Sequence, residues 1–152
     1  MIDEDIKELI ELLSTFDKLC VYHSGRGRSW DIADIYLYYG DDSINYSSWK
    51  SYLALAVFAK RLAAAISTVL EEEGGDKSPL YYLDMSIKWR SDKEFPIFLM
   101  EMPVDSLAEI TKLFYKVKKE LDDSMKYKRD IDHSELITEL SRIYFFNLLH
   151  DM

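Results

Sequence analysis

Apolar residues recur at helical spacing over residues 3 to 16, where Ile6, Leu9, Ile10, Leu12 and Leu13 share one side and acidic residues take the other. This predicts an amphipathic first helix with carboxylates favourably placed in its first turn. From Lys18 the period drops to two. Leu19, Val21 and His23 alternate with Cys20, Tyr22 and Ser24, and after the loop Ser24 to Ser29 the alternation resumes from Trp30 to Tyr39. Ala33, Ile35, Leu37 and Tyr39 then form one face, with Trp30, Ile32, Asp34, Tyr36 and Tyr38 on the other; the two runs predict a hairpin with an Arg-Gly tip.

Gly40 to Ser43 breaks this strand and leads into the longest apolar stretch, Ser47 to Glu73. Between Tyr52 and Leu70 only Lys60, Arg61, Ser67 and Thr68 are polar, so the helix is expected to be covered over most of its circumference. Alanines at 54, 56, 59, 63, 64 and 65 favour the helix and let neighbours approach closely, and Gly74-Gly75 supplies a left-handed stop. A membrane span is disfavoured, because Lys60 and Arg61 would sit at the bilayer centre at a cost of roughly 2.5 to 3.5 kcal/mol each.

A turn cluster over Gly75 to Pro79 precedes a second predicted hairpin. Tyr81, Leu83, Met85, Ile87 and Trp89 alternate with Tyr82, Asp84, Ser86, Lys88 and Arg90, and Phe95 to Met102 returns as a strand. Pro96 favours an edge or the strand's first residues. Ser106 with Glu109 fits a capping box for a helix to about Asp122, burying Leu107, Ile110, Phe114, Val117 and Leu121 and turning Lys112, Lys116 and Lys119 outward. After a charged connector, Asp132 with Glu135 caps a last helix over about residues 132–150. The order predicts one α+β domain spanning 1–152: a four-stranded, mainly antiparallel sheet of two hairpins packed on a long central helix, with further helices at both ends.

Composition narrows the function. The 152 residues suffice for one core, and a net charge of -9 argues against a coat for duplex DNA. A single cysteine, Cys20, excludes an intrachain disulfide, and Met1 to Asp5 lacks the basic and apolar regions of a signal peptide, so a cytoplasmic protein is expected. The wide apolar face of the last helix, with Phe145, Phe146, Leu148 and Leu149 near its end, predicts self-association, a homodimer being the simplest form.

If helices cover one face of the sheet, the other displays Tyr22, Ser24, Trp30, Tyr36, Tyr38, Tyr82, Ser86, Lys88 and Arg90, with Arg26 and Arg28 at the rim. Flat aromatics beside cations suit unpaired bases, each stacked base contributing roughly 1 to 3 kcal/mol. The candidate nucleic-acid-binding residues are therefore Tyr22, Arg26, Arg28, Trp30, Tyr36, Tyr38, Tyr82, Lys88 and Arg90, with single-stranded DNA or RNA as ligand. Asp34 and Asp84 fall on the same face and work against phosphate. The alternative is an acidic protein-interaction module: an adaptor, an inhibitor or a small subunit of a larger complex.

Chemistry is poorly represented. His23, His133 and His150 lack metal-ligand spacing, Gly25-Arg26-Gly27 lacks the third glycine of a dinucleotide site, and Cys20 has no partner histidine at a recognisable distance. Alternation sends Asp31 and Asp34 to opposite faces, and Asp41-Asp42 is a turn signal. No enzyme, cofactor or metal is expected.

The order of elements, the Arg-Gly hairpin tip and the tyrosine-rich face resemble the ThermoDBP-related single-stranded DNA-binding proteins of thermophilic archaea. That resemblance lies in the layout of the chain. It implies a sheet and helix body with a cleft for single strands and self-association, and places Arg26, Arg28, Trp30, Tyr36 and Tyr38 in or near the cleft.

Overall fold

The two alternating stretches do pair as hairpins, and the hairpins join through their second strands. The computed structural model describes residues 2–26, 31–40, 49–75, 83–90 and 95–124, with Ser134, Glu135 and Thr138. Its elements run α1 (Ile2–Leu13), β1 (Leu19–Arg26), β2 (Ile32–Tyr39), α2 (Trp49–Glu72), β3 (Asp84–Arg90), β4 (Phe95–Pro103), a 3₁₀ turn (Val104–Ser106) and α3 (Leu107–Asp123). The sheet order is β1-β2-β4-β3, every neighbouring pair antiparallel. The predicted α+β class and four-stranded sheet are therefore present.

One face of the sheet carries Ala33, Ile35, Leu37 and Tyr39 from β2 and Phe98, Met100 and Met102 from β4, all buried in the main core. Against it α1 lies over β1 and β2, α2 lies over β2, β4 and β3, and α3 packs against both helices. An aromatic chain ties these layers together. Phe114 of α3 meets Phe16 at 6.4 Å, Phe16 meets Phe58 of α2 at 6.3 Å, and Phe58 meets Phe98 of β4 at 6.2 Å. Lys118 of α3 sets its ammonium 5.6 Å from the ring centre of Phe16, an inner member of this chain.

α2 is the long central helix, and its stop is the expected one. Gly74 and Gly75 have φ of 96° and 81°, and the Gly75 N–H donates to the Leu70 carbonyl at 2.7 Å, the long bond of a Schellman motif. It is long and apolar enough to span a membrane, yet more than half of its most apolar window is buried inside the protein. Its burial is uneven: Leu53 to Val57 are buried without a break, whereas Ala63 and Ala64 are exposed. The expectation of cover around most of the circumference thus holds for the first turns only.

Two further expectations need correcting. Ser106 makes no side-chain cap for α3. The 3₁₀ turn enters the helix directly, with the Val104 N–H donating instead to the Asp31 carbonyl at 2.8 Å, so the amides that a capping box would satisfy already lie in a continuous run of turns. Strict alternation also fails in β1: the register shifts between Val21 and His23, making Tyr22 the extra residue of a β-bulge. Pro96 sits near the start of central strand β4, the second of the two places expected for it.

Candidate recognition face

The bulge rewrites which residues share the face turned away from the helices. Before it, Cys20 pairs with Tyr38; after it, His23 pairs with Tyr36 and Gly25 with Asp34. Ser24, expected on the aromatic face, is paired instead with core residue Ile35, and Arg26 with Ala33. Tyr22 remains accessible, 36% exposed at the bulge, beside half-buried Tyr36 and Tyr38 on β2.

Continuing across the sheet, Tyr36 pairs with Leu99, which pairs with Ser86, and Ile97 pairs with exposed Lys88. The middle of this face is closed to solvent: Ile97 is 1% exposed, Leu99 6% and Asp34 8%. The open aromatic platform that the alternation predicts is therefore accessible at its margins.

A rank of carboxylates crosses the same face. Asp84 of β3 pairs with Glu101 of β4, and Glu101 pairs with Asp34 of β2, so three acids occupy consecutive positions across three strands. Cross-strand neighbours on one face lie within about 5.5 Å at Cβ, so the three acids are adjacent, graded from exposed Asp84 through half-buried Glu101 to buried Asp34. Glu101 was not among the candidate residues. Its signal was the alternation of Phe95 to Met102 itself, in which Glu101 is the one charged side chain.

The basic candidates do not converge. Arg26 ends β1 at the rank of Ala33 and Met102, which are core-face positions, whereas Lys88 and Arg90 lie on β3 opposite Ile97 and Phe95. Five residues along β4 and three strand spacings separate Arg26 from Lys88, roughly 20 Å between diagonal corners. Arg28, Trp30 and Tyr82 lie outside the described residues, as does most of the predicted last helix.

Among the described residues no group of three or more His, Cys, Asp or Glu side chains is placed to hold a metal ion. Elsewhere, α3 shows Lys112, Lys116 and Lys119 to solvent as the periodicity predicts, and Lys116 pairs with Glu73 at the end of α2. At the α1–α3 seam Tyr115 hydrogen-bonds Glu8; partial desolvation, then the Glu8 charge and this bond, then the Glu11 charge, raise its phenol above the ordinary 10.0.

No protein-family model matches this chain, and no curated protein or solved structure is significantly similar to it.

Proposed function

We propose that this chain is a non-enzymatic binding domain that uses the sheet face turned away from α1, α2 and α3 to engage a protein with a basic surface. The observation that carries this reading is the accessible end of the carboxylate rank, exposed Asp84 and half-buried Glu101, on the face that also carries Tyr22, Tyr36 and Tyr38. On a chain of net charge -9, such a rank accelerates encounter with a cationic partner and opposes an anionic one. Tyrosines at its border supply large, rigid contact area with one polar end, the type of side chain that anchors protein interfaces. The adaptor or inhibitor roles expected from the acidic composition both fit this surface.

A second reading has its own support. Exposed Lys88 and accessible Tyr22, with Tyr38 between them across the sheet, offer a cation and stacking surfaces at the end away from the carboxylates. This suits a short stretch of single-stranded DNA or RNA.

One pair of substitutions separates the two. Asp84→Lys with Glu101→Lys should abolish capture of basic host proteins from nuclease-treated lysate. The same variant should bind a labelled oligonucleotide of about 20 nucleotides more tightly than the parent, because phosphate repulsion is removed. Capture that persists in the variant overturns the protein reading. Absence of oligonucleotide binding at low salt, with Lys88→Ala causing no change, overturns the nucleic-acid reading.

A further inference from the structure

The two outer strands of the sheet are finished differently. In β1 the bulge at Tyr22 breaks the ladder, and α1 packs over the strand with Leu19 buried on its core side. β3 has no such interruption: its seven residues pair with β4 in unbroken register, from Asp84 opposite Glu101 to Arg90 opposite Phe95, and include no proline. Among the described residues no strand pairs with its other side. A regular outer strand presents a row of backbone donors and acceptors to any extended segment that its side chains admit.

The ranks that cross the sheet specify those side chains. On the helix side Ile35 pairs with Met100 and Met100 with Met85, while Leu37 pairs with Phe98 and Phe98 with Ile87. The first two members of each rank are buried, whereas Met85 and Ile87 are only half-buried. Both ranks thus end in apolar surface that apolar residues on an adjacent strand would cover. On the far side the carboxylate rank ends at exposed Asp84, next to half-buried Glu101. Like charges directly opposite one another are unfavourable, and a cation at the next position of the rank meets Asp84 and offsets that repulsion. Two residues along β3 is half-buried Ser86, and two further is exposed Lys88, which calls for an acid.

We propose that β3 takes up an extended segment of the partner protein as a further antiparallel strand, and that the segment carries an acid, a small polar residue and a base at alternate positions with apolar residues between them. Antiparallel addition continues the pairing of every neighbour in the sheet. Backbone hydrogen bonds hold the segment and its alternate side chains select it. Direction sets the order: the acid comes first, opposite Lys88, and the base last, opposite Asp84. A reversed segment in the same orientation sets like charge against like at both ends. The inference deepens the protein-binding reading above and rests on it, since it seats a cationic side chain of the partner at the accessible end of the carboxylate rank.

Two labelled peptides test this on the full chain, one centred on Glu-Val-Thr-Val-Lys and the other on its reversal, Lys-Val-Thr-Val-Glu, with identical neutral flanks. In fluorescence anisotropy at low salt the parent should bind the first about tenfold more tightly, because two opposite-charge pairs are exchanged for two like-charge pairs in the second. Asp84→Lys with Lys88→Asp should invert the preference. Equal binding, the reverse preference or no binding by the parent overturns the inference. If neither peptide binds while Asp84→Lys with Glu101→Lys still abolishes capture of basic proteins, strand addition falls and the recognition face stands.

Backbone pairing has its own readout, which needs no variant of the protein. A strand bonded along one edge uses only alternate N–H groups. Methylating the peptide nitrogens of one alternate set should abolish binding, and methylating the other set should leave it unchanged. Equal sensitivity to the two sets overturns strand addition.

Discussion

Phe58 of α2 presents its ring to Phe98 of β4 nearly perpendicularly, with centroids 6.2 Å apart and planes at 88°. This edge-to-face contact joins the central helix to β4, an inner strand of the sheet. Phe98→Ala should lower stability by about 3 to 5 kcal/mol, because its ring is almost fully buried and leaves a cavity. A double-mutant cycle with Phe58→Ala should show a coupling of about 0.5 to 1.5 kcal/mol, measured by chemical denaturation.

The two halves of α2 should respond differently to a charge. Ala54 and Ala65 have no exposed surface, whereas Ala63 is exposed. Ala54→Asp and Ala65→Asp should each cost roughly 3 kcal/mol by burying a carboxylate in the packed interface, and Ala63→Asp should change stability by less than about 0.5 kcal/mol. Thermal unfolding of the three variants checks the orientation of the helix.

Gly40 closes the first hairpin against Lys18, its N–H donating to the Lys18 carbonyl at 2.7 Å. A Cβ built at Gly40 falls 2.6 Å from the Sγ of Cys20. Gly40→Ala should therefore destabilise the protein by about 1 to 3 kcal/mol through overpacking. Adding Cys20→Ala should recover most of that loss, which equilibrium unfolding of both variants would reveal.

Tyr115 gives a pH dependence with a definite sign. Its folded pKa is raised above the ordinary 10.0 by desolvation and then by Glu8. The neutral phenol is therefore the form the folded state favours, and its contribution is fully present below the unfolded value. That contribution is lost as pH rises through the folded value. In alkaline titration followed by tyrosinate absorbance, Tyr115→Phe should remove one late-titrating tyrosine, and Glu8→Gln should make that group titrate earlier.

Most of the fold was legible because each element has its own period. The change from helical spacing in residues 3 to 16 to alternation from Lys18, and the cluster of glycines after Glu73, mark boundaries that backbone chemistry enforces. Alternation in β1 misled beyond Val21, since a bulge is a pairing irregularity with no side-chain signature in LCVYHSGR. The capping box at Ser106 was a valid local pattern displaced by a 3₁₀ turn anchored to Asp31.

The candidate face was legible in its composition and illegible in its arrangement. That Tyr36 and Tyr38 share a side follows from residue spacing within β2. That Asp84, Glu101 and Asp34 line up, while Arg26 and Lys88 occupy opposite corners, depends on register between strands distant in sequence. Periodicity within a strand carries no information about that register.

The extra residue at Tyr22 also bears on the protein's solubility. β1 is an outer strand of the sheet, and a regular outer strand is a template on which further strands from other molecules can stack. By interrupting the even spacing of backbone donors and acceptors, the bulge makes β1 a poor template. A chain lacking Tyr22 would regain uninterrupted pairing potential in a segment with no proline and no charge before Arg26. Such a chain should form thioflavin-positive aggregates under conditions where the parent stays dispersed.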